Sequence, residues 1–182
     1  MSDQDMRTCE CNCGKEIRDC NCNCSCVYER PRKYLNPNRK ALKCGNQGFV
    51  TFPAATVVGA AIILATVNVN TKSYRRPCVR FDFAANIVTT AAVITLNFQI
   101  FKQCKGQLTP VPIGPVWTFS RLVAVTESDS FNFFVCDCDI CDDECCVYSV
   151  VATVAGIAPE IEETIGDTAI NNASLSAIII EQ

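Results

Sequence analysis

Ile94-Thr95-Leu96-Asn97-Phe98-Gln99-Ile100 sets a large apolar side chain on every second residue with polar ones between. Successive side chains of a β-strand point to opposite faces, so this run lays one face into a core and turns the other toward solvent. The same period of two recurs where Phe81 and Phe83 alternate with Arg80 and Asp82, and where Phe131, Phe133 and Val135 oppose Asn132 and Phe134. No stripe with a 3.6-residue period is present. Strands are predicted at about 49–53, 56–69, 78–88, 92–103, 115–126, 130–137, 145–156 and 172–181, divided by turn-like stretches of Asn, Pro, Gly and Ser. This pattern predicts an all-β fold over residues 44–182, a jelly-roll β-sandwich of about eight antiparallel strands. Residues 157–171 hold either a ninth strand over Ile161–Ile165 or a loop. Trp117 lies on an alternating stretch with Phe119, Arg121 and Val123, and reads as a core aromatic.

The first 43 residues have another character. Seven thiols fall within eighteen residues, in Cys9-Glu-Cys11-Asn-Cys13 and Cys20-Asn-Cys22-Asn-Cys24-Ser-Cys26, with almost nothing apolar around them. Such a segment does not fold on burial alone. Its cysteines need a metal, the rest of the chain or another chain. Residues 27–43 contain two prolines and a basic run, which favours an extended connector. Fully stretched, residues 9–43 span at most about 115 Å at roughly 3.3 Å each, far enough to reach a neighbouring subunit. The chain therefore reads as an extended Cys-rich N-terminal connector, 1–43, ahead of a β domain, 44–182.

Composition removes several classes of function. Histidine is absent from the 182 residues, which takes away the usual general base near neutral pH and the commonest zinc ligand, and counts against an enzyme. A net charge of -3 gives no reason to expect nucleic acid or an anionic membrane as partner. Ala54–Val69 is the one apolar run that bears on a membrane span. It is short, rich in Val, Ile and Thr, and ends in the alternating Val67-Asn68-Val69-Asn70, so it predicts a strand pair or one long strand. Met1–Lys15 is polar and lacks the apolar region of a secretory signal, which implies synthesis in a cytosol. No phosphate-cradling glycine loop, nucleophile elbow or cofactor motif is present. No cofactor and no small-molecule substrate are expected.

Charge is unevenly placed: Arg30–Lys43 holds six basic residues and no acid, whereas residues 136–182 hold ten acids and no Lys or Arg. The fifteen cysteines, an odd number, form a second cluster at Cys136-Asp-Cys138-Asp-Ile-Cys141-Asp-Asp-Glu-Cys145-Cys146. As metal chemistry, Cys-x-Cys and Cys-x-x-Cys spacings let neighbouring sulfurs converge on Zn²⁺ or Cu⁺, as in metallothioneins. As covalent chemistry, a basic arm bearing seven thiols meets an acidic, cysteine-bearing loop of another subunit, charge guides the encounter and disulfides lock it. Arm and receiving surface are different patches, so the contact is heterologous, need not close, and propagates into a helical filament of identical subunits. The candidates for intersubunit disulfides are the seven arm cysteines with Cys136, Cys138, Cys141, Cys145 and Cys146. Cys44, Cys78 and Cys104 are further acceptors on the body, or else buried reduced thiols. Purely intrachain disulfides are the remaining reading.

A Cys-bearing connector followed by one jelly-roll domain resembles the pilin subunits of bacterial endospore appendages. Lys43-Cys44-Gly45, Phe98-Gln-Ile-Phe-Lys-Gln-Cys104 and Phe133-Phe-Val-Cys-Asp-Cys138 also resemble an uncharacterised cysteine-rich family of spore-forming Clostridia. The resemblance implies a non-enzymatic pilin made in the mother cell and assembled into resistant extracellular fibres on the spore. Its connector would be held by disulfides to the sandwich strands of other subunits, and neighbouring sheets would pair edge to edge. This sequence departs from the pattern in carrying Cys-x-Cys repeats in the arm and its adjacent pair, Cys145-Cys146, in the body. An amorphous cross-linked spore-coat protein is a further alternative.

Overall fold

The computed structural model describes residues 8–12, 23–27, 40–54, 56–72, 74, 76–138, 145–157 and 166–181. The chain divides into two units, Met1–Arg39 and Lys40–Gln182. In the first, strands β1 (Thr8–Asn12) and β2 (Asn23–Val27) pair antiparallel, in a register that sets Cys9 opposite Cys26 and Cys11 opposite Cys24.

The second unit is built from β3 (Lys40–Cys44), β4 (Gly48–Phe52), β5 (Ala61–Asn70), β6 (Pro77–Cys104), β7 (Val111–Asp137), β8 (Cys145–Ile157) and β9 (Thr168–Glu181). Its first strand thus begins at Lys40, inside the stretch assigned to the connector. Two elements are far longer than expected. The predicted strands 78–88 and 92–103 are one strand, β6, and 115–126 and 130–137 are one strand, β7. Each half of β6 has its own partner: Pro77–Thr89 pairs with β9, and Ile94–Cys104 with β8. β7 follows β6 along both halves.

The resulting strand order is β3 and β4, β9, first half of β6, second half of β7 in one sheet, and β5, β8, second half of β6, first half of β7 in the other. With the halves of β6 and β7 counted separately, and β3 and β4 as one interrupted edge, this is an eight-stranded jelly-roll sandwich, as the alternation predicted.

The corner of β6 explains how one strand serves both sheets. Buried positions fall on odd numbers up to Thr89 and on even numbers from Ala92, a one-residue change of phase. Register shifts lie between Thr89 and Ala92, and Ala91 has φ of 48°. An extra residue at a bulge keeps the same face inward while the strand turns over onto the opposite sheet. Gly166 closes this corner, donating its N–H to the Ala91 carbonyl at 3.2 Å, while the Thr90 N–H reaches the Asp167 carbonyl at 2.9 Å. On β7 the corresponding turn is tied by Arg121, which pairs with both Glu127 and Asp129.

The core lies between the sheets. Phe81, Phe83, Leu96, Phe98 and Ile100 are buried, as the alternation required. Phe83 lies 6.0 Å from Phe98 across the sandwich and 5.1 Å from Phe133, its ladder partner in the same sheet, ring to ring. Trp117 packs from the edge strand and stacks on Phe133 at 5.5 Å, so it is part of the core as expected. The predicted strand 56–69 is shortened. Turns precede it, with Thr56 N–H on the Pro53 carbonyl at 2.9 Å and Gly59 at φ 89°, and the strand starts at Ala61. β9 begins earlier than predicted, at Thr168. Residues 158–165, including the possible strand Ile161–Ile165, lie outside the described residues.

Candidate functional site: the cysteine-bearing end of the sandwich

β6 starts and ends at the same end of the sandwich, because it folds back on itself at residues 89–92. Tyr148 and Phe81, on opposite sheets, have ring centroids 4.2 Å apart. The strand ends gathered here are those of the cysteine motifs. Cys78, at the start of β6, is joined to Cys138, just beyond β7, with Cα atoms 4.0 Å apart. Cys104, at the end of β6, is joined to Cys146 of β8, directly opposite in the ladder, with Cα atoms 3.9 Å apart. Each sheet is therefore cross-linked between neighbouring strands at this end. These four thiols, candidates for links to another chain, are taken up within their own chain.

Cys44, Cys136 and Cys145 are free and exposed. Their faces follow from register. Cys136 is opposite Arg80, and Cys44 is opposite Ser176, which in turn is opposite Asp82. Arg80, Asp82, Cys136 and Ser176 alternate with buried residues, and Cys44 shares the side of its partner Ser176, so Cys44 and Cys136 lie on the outer face of the first sheet. Cys145 precedes buried Cys146 and is opposite Asn70, which puts it on the outer face of the second sheet. Of the remaining candidates, Cys9, Cys11, Cys24 and Cys26 occupy the paired register positions of β1 and β2. Cys13, Cys20, Cys22 and Cys141 lie outside the described residues, as do most of the basic connector and the acidic stretch 139–144. Among the described residues no three His, Cys, Asp or Glu side chains converge to hold a metal ion.

Between the two disulfides sits a buried polar cluster that the sequence reading did not identify. Lys102 Nζ lies 3.2 Å from Asp137 Oδ2, with side-chain exposures of 13% and 7%. The Tyr148 hydroxyl donates to the same oxygen at 3.0 Å. Asp137 belongs to the first sheet, Lys102 and Tyr148 to the second, so the cluster bolts the sheets together where the hydrophobic core ends. A signal was present: Lys102 takes the next inward position after Ile94, Leu96, Phe98 and Ile100, and Asp137 the next after Phe133 and Val135. Two complementary charges at inward positions of adjoining strand ends are best accommodated by pairing with each other.

The domain is thus a jelly roll with one disulfide between neighbouring strands of each sheet and free thiols on both outer faces. Residues 38–180 match the family described as Domain of unknown function (DUF4489), and the chain belongs to that family. No curated protein matches the sequence. Among solved structures, that of infectious bursal disease virus Gx strain is similar with a TM-score of 0.51 at 8% identity, covering 84% of this chain and 36% of the viral one. The VP2 subviral particle of infectious bursal disease virus gives 0.49 at 10% identity, covering 91% of this chain and 36% of that one. Eiger TNF from S. frugiperda gives 0.39 at 9% identity, over 81% of this chain and 94% of its own. This chain thus spans about a third of the viral proteins it matches. At such identities the likeness concerns the fold, and the first of these supports the β-sandwich read from strand order. Among the described residues no helix is long and apolar enough to cross a membrane.

Proposed function

We propose that this protein is a self-assembling structural subunit of a disulfide-cross-linked extracellular filament, of the kind that forms endospore appendages. The observation that carries the reading is the division of labour among the body cysteines. Four close the fold on itself at one end, while Cys44, Cys136 and Cys145 stand exposed on a rigid β scaffold. A protein kept in a reducing cytosol has little use for either set, and disulfides persist in oxidising surroundings. The exposed thiols are the acceptors, and the cysteines of residues 9–26 are the donors that reach them from other copies.

Edge strands supply the second kind of contact. Among the described residues β5 has β8 as its one strand partner and β7 has β6, so β7 runs as an open edge through both sheets. An unpaired edge of this length is a template for strand addition by another copy. The contact joins unlike surfaces, so it repeats without closing and gives a helical fibre.

The test is removal of residues 1–26 from the expressed chain. The body is expected to fold, because its core alternation and both body disulfides lie beyond this segment, while covalent linkage between subunits is lost. A truncated chain that still forms reductant-sensitive oligomers to the same extent as the full chain would refute the assignment of donor thiols to the arm.

A further inference from the structure

Among the described residues the outer face of the second sheet carries no charged side chain. Along β6 its outward residues are Thr95, Asn97, Gln99, Phe101 and Gln103, each between buried neighbours or at the strand end. Along β8 they are Cys145, Val147, Ser149, Val151 and Thr153. The flanking strands add Thr66 and Asn68 from β5 and Thr118 and Ser120 from β7. The chain has 35 charged residues, 16 basic and 19 acidic, yet none of those among the described residues falls on this face. A face exposed to water for good is normally about a quarter to a third charged.

Its polar groups are moreover tied to one another. Thr95 and Ser120 hydroxyls lie 2.8 Å apart, Thr118 donates to Asn97 Oδ1 at 2.8 Å, and Gln99 donates to the carbonyls of Ile113 and Gly114 at 3.0 and 3.1 Å. Groups already bonded within the face lose little when water is excluded from it.

We propose that this face docks on a second copy of the chain, against the outer face of that copy's first sheet. The inference rests on the self-assembly reading and adds a non-covalent contact to it. The receiving face is suited to burial. It exposes Leu42 at 64% and Phe134 at 54%, and its Arg80 and Asp82 pair with each other at 2.8 Å with Arg80 lying over the Phe134 ring. The thiols are also complementary in position. Cys145 belongs to the charge-free face, Cys44 and Cys136 to the receiving one, so stacking brings unlike thiols toward each other. Four strands spaced about 4.8 Å and about ten residues long give a face of roughly 600 Å², near the size of one side of a standard interface. Each copy has one face of each kind, so stacking repeats from copy to copy.

The experiment is sedimentation velocity of the full chain in reductant, where no covalent link contributes, at a temperature where Trp117 fluorescence shows the body still folded without its Cys78–Cys138 and Cys104–Cys146 bonds. Wild type is expected to associate reversibly below about 100 μM. Val151→Lys, at the centre of the face, should raise the dissociation constant at least tenfold. Leu108→Lys, at a 95% exposed loop position, should leave it unchanged. Ser149→Glu is the second variant and decides the matter if Val151→Lys does not fold, as checked by Trp117 fluorescence. A reduced wild type that stays monomeric, or face variants that associate as wild type does, would overturn the proposal. Covalent ladders on non-reducing gels are read separately, so a chain that cross-links but is monomeric when reduced defeats the stacking contact and leaves the fibre reading intact.

Discussion

Replacing Asp137 with alanine should be among the most costly single changes at the cysteine-bearing end. The substitution removes the carboxylate that faces the Lys102 ammonium at 3.2 Å and accepts the Tyr148 hydroxyl at 3.0 Å, in a site where both charged side chains are nearly buried. Leaving one member of such a pair behind costs about 3–5 kcal/mol. Tyr148→Phe removes only a hydrogen bond to a charged acceptor, about 1.5–3 kcal/mol. Lys102→Met combined with Asp137→Leu removes both charges and is expected to cost only about 1–3 kcal/mol, the loss of the Tyr148 hydrogen bond, since an apolar replacement avoids the desolvation of the pair. The assay is urea unfolding of the oxidised chain followed by Trp117, the single tryptophan, whose indole stacks on Phe133 in the core. With a slope of about 2 kcal/mol per molar urea, Asp137→Ala should lower the midpoint by about 1.5–2.5 M. A loss below about 1 kcal/mol, or a double variant as unstable as the single one, would refute the view that this cluster holds its charges out of water.

Three further outcomes are expected. The Cys104–Cys146 bond spans a sequence separation of 42, so Cys104→Ser with Cys146→Ser should destabilise the chain by about 4 kcal/mol in the loop-entropy account. The check is urea unfolding of both proteins in oxidant and in reductant, and equal midpoints in oxidant would contradict the brace. Gly166→Ala would drive a Cβ into the Thr90 carbonyl oxygen, forcing the β6 corner open at a cost of about 2 kcal/mol or more. Hydrogen exchange at the Thr90 amide, bonded to the Asp167 carbonyl, should then accelerate, and unchanged protection would count against this corner. Phe98→Ala, at a fully buried ring 4.6 Å from Phe131 and 6.0 Å from Phe83, should cost about 3–5 kcal/mol by calorimetry or urea melts.

The period of two in Ile94–Ile100 and Phe81–Phe83 was enough to reveal a sandwich, because one buried face per strand writes itself directly into alternation. Continuity was harder to read. Thr89-Thr90-Ala91-Ala92 contains neither Gly nor Pro, so the corner at which β6 changes sheets resembled a gap between two strands. In the opposite sense, Val57 and Val58 are apolar and looked like strand, although Pro53 and Gly59 hold that stretch in turns. The cysteine motifs were legible as a set of thiols. Which sulfur meets which depends on register between strands far apart in sequence, and alternation within one strand does not encode that. Lys102 and Asp137 escaped notice because each by itself is an ordinary charge at the end of a strand. Only folding places them on opposing sheets within reach of each other.

The account stands most directly on covalent assembly through the exposed thiols. Native material boiled in denaturant without reductant is expected to stay at the top of a gel or run as a ladder. With reductant it should collapse to one band near 19.9 kDa, and fibres should be visible by negative stain before boiling. A single monomer band in both lanes would contradict the account and turn attention to metal bound by the thiolates.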